Sequence, residues 1–201
     1  MAAGKSREEA KQETREALLR AGMEAFDEHG VDMPSLDAIC ERAGYTRGAF
    51  YVHFRDRDAF LGAVINRAAK EFVEEIIATS GSSDAIEQTV DRFVDAAANG
   101  HLPLAQRRLL MQLMSRGAGP AERMRERFRD MLQGARALLA QAARNGQDAG
   151  TVGNDIDPDQ VALWLLTSAF GVMTLVDAGV ELDYDRMRET ARRLLHIKDR
   201  G

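Results

Sequence analysis

Residues 36–54 carry the pattern of two short helices joined at a glycine. The first helix has apolar side chains at the i, i+3, i+4 and i+7 spacing of one buried face, namely Leu36, Ile39, Cys40 and Ala43. Gly44 follows, and glycine is the residue that most readily ends a helix in a left-handed conformation. Thr46 can then cap a second helix that buries Phe50 and Phe54, one turn apart. The pattern therefore predicts a helix-turn-helix, the unit that lays its second helix in the major groove of DNA, although other helical hairpins share it.

Composition supports a folded, helical protein. The chain has 201 residues, of which 45% are hydrophobic and only four are proline, so we expect a sizeable core and helix throughout. Its single cysteine, Cys40, excludes an intrachain disulfide, fits a reducing cytoplasm and is expected simply to pack on the buried helical face. No leader segment opens the sequence, and the most apolar stretch, residues 161–176, is short for a membrane span. We therefore expect a soluble, cytoplasmic protein without a membrane partner.

Charge constrains any DNA-binding interpretation. The formal net charge is −5, whereas nucleic-acid-binding domains are often basic. A DNA-binding surface on this chain must therefore concentrate its cations on one small face, and its affinity should fall as salt rises. Lys5, Arg7 and Lys11 alternate with glutamates near the N-terminus, a pattern typical of a solvated helix face.

Capping residues and helix breakers divide the chain into nine predicted helices and no convincing strand, which indicates an all-α fold. The predicted helices span residues 6–29, 36–43, 46–54, 56–79, 83–100, 104–116, 120–145, 158–176 and 183–197. The first three form a predicted DNA-binding domain at residues 1–55. The remaining helices form a predicted second helical domain at residues 56–201.

Residues 14–64 resemble the DNA-binding domain of the TetR family of bacterial transcriptional regulators. The resemblance rests on several residue types at fixed spacing: Ala25, Phe26, Gly30, Ser35, Ile39, Ala43, Gly44, Gly48, Phe50, Tyr51, His53, Phe54 and Arg57. Cys40 stands where the family usually has alanine, and Arg57 where it usually has lysine. The remainder of the chain is similar to the family only in layout.

The resemblance implies two sets of DNA contacts. The residues directed toward the bases would be Arg47, Gly48, Ala49 and Val52. The residues directed toward phosphates would be Ser35, Thr46, Tyr51, His53 and Arg57. Arg47 could fork onto guanine, and Ala49 or Val52 could touch a thymine methyl group. Each set has a plainer alternative, since Arg47 could be a solvated arginine, and helix capping alone accounts for Ser35 and Thr46.

Large apolar side chains in the second half could line a cavity for a small molecule. The candidates are Phe93, Leu110, Met111, Met114, Met124, Phe128, Met131, Trp164, Phe170 and Met173. Such residues at helical spacing are more often ordinary core. The helix at 158–176 is apolar nearly all round, which favours a pocket on one face and a partner subunit on the other.

The resemblance implies ligand binding and dimerisation by residues 56–201. It therefore leads us to expect a homodimeric transcriptional repressor that binds a double-stranded operator and is released by an apolar small molecule. We expect no cofactor and no metal site, because the histidines lack metal-ligand spacing and no catalytic motif is present. Two alternatives remain open: a DNA-binding regulator without a small-molecule effector, and a helical enzyme.

Overall fold

The computed structural model describes residues 6–29, 35–77, 81–102, 104, 107–108, 111 and 120–197, excluding the side chains of residues 26, 27, 29, 68, 69, 72, 120, 121, 123 and 124. Regular structure in these ranges is entirely helical, which confirms the all-α prediction. The helices are α1 (Arg7–His29), α2 (Leu36–Ala43), α3 (Arg47–His53), α4 (Arg57–Ile76), α5 (Ala85–Ala98), α6 (Pro120–Ala149), α7 (Pro158–Asp177) and α8 (Tyr184–Leu194). Most of the predicted helix 104–116 lies outside the described residues, as do Leu110, Met114, Gly30, Lys5 and the side chains of Phe26 and Met124.

Side-chain caps set the beginning of several helices, as the sequence predicts. At α7, the Asp157 carboxylate accepts from the backbone N–H of Asp159 at 2.9 Å, and Pro158 occupies the first turn. At α8, the Asp183 carboxylate accepts from the backbone N–H of Arg186 at 3.0 Å. These contacts satisfy backbone donors that have no partner within the helix. Helix α6 extends past its predicted end to Ala149, since Gly146 does not interrupt it.

The chain forms two compact units. The first takes in Met1–Ala69 and Ala105–Phe128, and the second Lys70–Leu104 and Arg129–Gly201. The core of the first unit contains apolar side chains of α1, α2, α3 and the first half of α4. Phe50, Phe54 and Phe60 meet at its centre with ring centroids 5.0–5.3 Å apart. The second helix of the predicted helix-turn-helix is therefore fixed by three mutually packed aromatic rings.

The second unit is built from α5, α7, α8 and the later part of α6. Its largest buried cluster joins Ile86 of α5, Ala142 and Ala143 of α6, and Val161 of α7. Charged side chains connect α5 to α8 at the surface. Arg188 contacts Asp91 at 3.3 Å and Asp95 at 2.7 Å, and Arg192 contacts Glu87 at 2.6 Å. We refer to these five residues as the α5–α8 ion-pair ladder.

Helix α7 is apolar along most of its length but only partly buried. By length and composition alone it is long enough to cross a membrane, although core helices of soluble proteins meet the same test. Its 20 residues exceed the predicted stretch, so shortness does not set it apart from a membrane span. Leu163 is 42% exposed and Leu175 44% exposed, whereas Val161 and Ala162 are buried. One part of the helix surface thus contributes to the core while another presents leucines to solvent.

Candidate DNA-binding surface and ligand cavity

The turn between α2 and α3 is fixed by caps on both sides. Gly44 adopts the left-handed conformation, with φ of 75°, and the backbone N–H of Tyr45 bonds back to the carbonyl of Cys40 at 2.9 Å. Thr46 then begins α3 by accepting from the backbone N–H of Ala49 at 3.2 Å. The Ser35 hydroxyl begins α2 in the same way, accepting from Ala38 at 3.2 Å. This is the predicted helix-turn-helix, and it leaves α3 with a defined orientation on the core.

Helix α3 divides into an inner and an outer face. Phe50 is fully buried, whereas Tyr51 is 51% exposed and Val52 67% exposed. Arg47 and Gly48 are also exposed and Ala49 half-buried. A Cβ atom built on Gly48 would meet only the Thr46 hydroxyl oxygen, at 3.6 Å, so the fold itself does not require glycine there. The outer face therefore carries the residues that the sequence directs toward bases.

Arg47 is oriented by contacts to two side chains. Its Nη1 lies 3.3 Å from the Asp37 carboxylate on α2, and its Nη2 lies 3.4 Å from the Tyr51 hydroxyl. The hydrogen bond to Tyr51 and the charge of Asp37 raise the pKa of Arg47, so the guanidinium is always charged. Asp37 does not stand out in the sequence, since a lone acid in a first helical turn is ordinarily explained by the helix dipole.

The N-terminal part of α1 lies beside α3. A shallow groove beside α3 is lined by Arg7, Glu8, Ala10, Lys11 and Thr14 of α1 together with Ala49, Val52 and His53. The guanidinium of Arg15 lies over the Phe54 ring, 5.4 Å from its centroid. Arg7, Lys11 and Arg15 recur every fourth residue and so share a helix face. This spacing could have been found in the sequence, but the glutamates between these cations make it easy to overlook. The structure thus adds α1 cations to the surface that the sequence assigns to α3.

His53 is half-buried at the end of α3. Burial, then the charges of Lys11 and Arg15, lowers the pKa of its imidazole from the ordinary value. The ring is therefore neutral at pH 7, because each of these effects disfavours the imidazolium.

Arg57, the first residue of α4, is exposed, and Asp56 just before it accepts from the backbone N–H of Ala59 at 2.7 Å.

Cys40 lies inside the core of the first unit, 3% exposed. Burial, followed by the charge of Asp37, raises the pKa of its thiol. A raised thiol pKa reduces the thiolate fraction that reacts with oxidants. This environment fits the predicted packing role. Among the described residues, no group of three or more His, Cys, Asp and Glu side chains could hold a metal ion.

The second unit contains a partly open cavity of about 490 Å³. Its walls come from α4, α5, α6, α7 and α8 and are mainly apolar: Val73, Ile76, Ile77, Val90, Phe93, Val94, Ala135, Leu139, Trp164, Leu165, Leu166, Ala169, Val172, Leu182, Met187 and Ala191. The described polar side chains at the cavity include the hydroxyls of Thr89, Ser168 and Thr190. They also include Glu181 and Asp183, between α7 and α8, and Arg186 on α8. Thr89 is buried, and its hydroxyl donates to the carbonyl of Ala85 at 2.7 Å. The volume and lining suit a small apolar molecule.

Two of the predicted ligand-binding residues, Phe93 and Trp164, line this cavity. The lining does not include Met111, Phe128, Met131, Phe170 or Met173. Phe128 instead packs against the core of the first unit, and Met111 is 39% exposed. Helical spacing identifies an apolar face but not which of two cores the face contacts, which is why the sequence assigned these side chains to a cavity.

Comparison with known proteins agrees with the helix-turn-helix. Residues 18–64 match the family described as "Bacterial regulatory proteins, tetR family", a range that begins in α1 and includes all of α2 and α3. The matched helix-turn-helix region belongs to the TetR family, and the comparisons together indicate a TetR-family transcriptional regulator. The chain is 27% identical over 172 residues to the HTH-type transcriptional regulator UidR of Escherichia coli K12, covering 83% of each chain. These similarities support a role for the chain in DNA-binding transcriptional regulation.

Solved structures extend the likeness to nearly the whole chain. A TetR-family transcriptional regulator from Mesorhizobium loti MAFF303099 superimposes with a TM-score of 0.74 at 17% identity, covering 96% of each chain, and so shares the fold. A complex of SmeT with triclosan superimposes with a TM-score of 0.62 at 25% identity, covering 92% of each chain. SmeT is the repressor of the Stenotrophomonas maltophilia multidrug efflux pump SmeDEF. One structural neighbour of this chain is therefore in complex with a small molecule.

Proposed function

We propose that this protein is a homodimeric transcriptional repressor that reads DNA with α3 and is released when an apolar molecule enters the cavity of the second unit. The observation that carries the proposal is the division of α3. Phe50 anchors the helix in the core with no exposed surface, while Tyr51 and Val52 are more than half exposed on the opposite side. A short helix fixed so firmly, with its outer face uncovered, is suited to enter a major groove.

The DNA contacts proposed here fall into two sets. Arg47, Gly48, Ala49 and Val52 would face base edges, where arginine can fork onto guanine and small apolar groups can touch thymine methyls. Contacts to phosphates would come from Ser35, Thr46, Tyr51, His53 and Arg57, with Lys11 added from the groove beside α3. These phosphate contacts would set the register of the protein on the duplex without carrying sequence information.

We infer that the cavity is the effector site. Its apolar lining from five helices favours a ligand that is largely apolar, and a structural neighbour is in complex with triclosan. Helix α4 begins in the first unit and ends in the second, where Val73, Ile76 and Ile77 line the cavity. A ligand that favours one position of this helix would shift the equilibrium between DNA-binding and released states.

A second copy of this chain is the proposed partner for α7. Leucines at positions 163 and 175 are each more than 40% exposed on a helix that is mostly apolar. Burial of such a face against its own copy would form a helical interface and place two α3 helices on one duplex. For successive major grooves, their separation would be about 34–36 Å.

The decisive experiment titrates full-length protein with the duplex upstream of its own gene, beside a random-sequence duplex, at several salt concentrations. We expect preference for the upstream duplex and affinity that falls steeply with salt. Equal binding to both duplexes, repeated with sequences enriched from a random pool, would contradict sequence-specific regulation and would reopen the helical enzyme alternative.

Effector binding has its own readout, because Trp164 is the single tryptophan of the chain and lines the cavity. We expect triclosan, used as the first probe, to change tryptophan fluorescence and to displace DNA over the same concentration range. Phe93→Trp would give a second reporter from α5, which also lines the cavity. Tight DNA binding with no fluorescence response to triclosan or other apolar compounds would favour the alternative of a regulator without a small-molecule effector.

A further inference from the structure

Arg47 is held between two helices. Asp37 is in the first turn of α2, and its carboxylate lies 3.3 Å from Nη1 of Arg47, the first residue of α3. The Tyr51 hydroxyl, one turn further along α3, lies 3.4 Å from Nη2. Tyr51 is itself held, because its ring meets the buried Phe50 ring edge-on, with centroids 5.4 Å apart and planes at 87°. The two contacts fix the plane of the guanidinium.

The donors of the guanidinium allow a third partner. Arginine carries five N–H groups, two on each terminal nitrogen and one on Nε. Asp37 and Tyr51 each engage one terminal nitrogen, so each of these nitrogens retains a second N–H. Guanine presents O6 and N7 side by side, spaced to accept a fork of two N–H groups. The arginine can therefore serve the carboxylate, the phenol and a guanine at the same time.

The negative charge of Asp37 should weaken the binding of Arg47 to random DNA. Its side chain is 66% exposed on the surface that carries Arg47. A carboxylate in this position repels phosphates and partly neutralises the guanidinium when no guanine is present. An arginine without such a neighbour would be attracted by any phosphate, which strengthens binding to every sequence alike. The same side chain thus orients the base-reading group and weakens indiscriminate contacts.

We propose that Asp37 is a positioning residue that determines specificity by fixing Arg47 for base readout and restraining its attraction to random DNA. The inference rests on the proposed function, that α3 reads DNA. It makes Asp37, on the helix that precedes the reading helix, a determinant of the base preferred at one position of the operator.

The test uses full-length variants, a duplex enriched by the wild-type protein from a random pool, and the same duplex with each base pair changed in turn. Arg47→Ala identifies the base pair that Arg47 reads, by a loss of discrimination of about tenfold or more at that pair alone. Asp37→Ala is expected to lose about threefold or more of the discrimination at this same pair. Its affinity for a random duplex should rise about two- to fivefold, because one negative charge is removed.

Two further variants separate orientation from charge. Asp37→Asn keeps an acceptor for Arg47, so discrimination at the pair should return toward the wild-type value while affinity for random DNA stays raised. Glu41→Gln removes a matched charge one turn further along the exposed surface of α2. It should raise affinity for random DNA without changing the preference at the pair. Thermal unfolding of each variant verifies the fold.

The outcomes are distinguishable. Full discrimination by Asp37→Ala at the pair lost in Arg47→Ala would overturn the inference while leaving the proposed function intact. The inference would also be overturned if the double variant Asp37→Ala/Arg47→Ala lost more discrimination at this pair than Arg47→Ala alone. Asp37 would then act independently of Arg47. If the wild-type protein enriches no sequence and binds all duplexes equally, the proposed function fails and this inference fails with it.

Discussion

At the scale of single residues, Gly48 allows the requirements of folding to be distinguished from those of DNA binding. In the free protein a Cβ at this position would meet one atom, the Thr46 hydroxyl oxygen at 3.6 Å. Gly48→Ala should therefore leave the free energy of unfolding unchanged or raise it by about 0.5–1 kcal/mol, because alanine favours helix. It should weaken DNA binding by about 1–3 kcal/mol if the duplex approaches the backbone closely. Urea unfolding and duplex titration measure the two effects.

Gly22 supplies the matched control. A Cβ there would lie 2.6 Å from Cζ of Phe60 and 2.8 Å from a methyl group of Val64, inside the core of the first unit. Gly22→Ala should therefore lower the free energy of unfolding, the reverse of Gly48→Ala. A Gly48→Ala variant that bound DNA like the wild type would show that the duplex does not approach this backbone closely.

His53 should make DNA binding depend on pH. Burial and the charges of Lys11 and Arg15 lower the pKa of the imidazole in the free folded protein. A nearby phosphate would favour the imidazolium and so raise that pKa in the complex. Affinity should then increase as pH falls from 7.5 toward 5.5, by about fivefold, through the window between the two pKa values. Titration of a duplex across this range measures the effect.

The sign for stability is the opposite. A histidine whose folded-state pKa lies below its unfolded value binds fewer protons when folded, so the free protein loses stability as pH falls from the unfolded pKa toward the folded one. His53→Gln removes both dependences while leaving the other histidines in place. A pH profile of DNA binding that is unchanged in His53→Gln would argue that no phosphate lies near this ring.

At the scale of helices, the α5–α8 ion-pair ladder holds a helix that has no fully buried residue. Helix α8 contributes none, while Arg188 and Arg192 both contact acidic residues spaced four apart on α5. Replacing both arginines by glutamine should lower the free energy of unfolding by about 1–2 kcal/mol. The three acids at this spacing would then repel one another without the two arginines of α8. Urea unfolding at low salt measures the loss.

Salt distinguishes this effect from lost packing. Added salt screens exposed charges, so the difference between the double variant and the wild type should shrink as salt rises. Arg193→Gln is the matched control, since Arg193 is 77% exposed and its partner Glu189 belongs to the same helix. A difference that stayed constant with salt would indicate that the arginine stems contribute by packing instead.

The sequence predicts the helices better than it predicts their partners. Ser35, Thr46, Asp157 and Asp183 each cap the helix they were assigned to, because capping depends on residues only two or three positions away. The location of Phe128 depends instead on which core a helix face meets, and local spacing carries no such information. Contacts of Asp37 with Arg47 likewise join residues ten apart through a turn. Helix caps can therefore be predicted from neighbouring residues, whereas contacts between residues distant in sequence require the structure.

At the scale of the whole molecule, α7 gives the dimer proposal a direct test. Leu175 is 44% exposed, so a charge placed there should be tolerated by the monomer fold but not within an apolar interface. Leu175→Glu should halve the molar mass found by light scattering and should weaken binding to a two-half-site duplex. Leu175→Met, which keeps the apolar surface, is the control. A dimeric Leu175→Glu variant would place the interface elsewhere on the chain.

The buried Cys40 has a consequence for measuring the two units separately. It is the sole thiol of the chain and lies inside the first unit, 3% exposed. A thiol-reactive reagent can reach it only when that unit opens, so the labelling rate under native conditions reports the opening equilibrium of the helix-turn-helix region alone. Unfolding followed by Trp164 fluorescence reports the second unit. One unmodified chain therefore provides two independent probes of unfolding, one in each unit. A ligand that slows unfolding at only one probe stabilises that unit without stabilising the other.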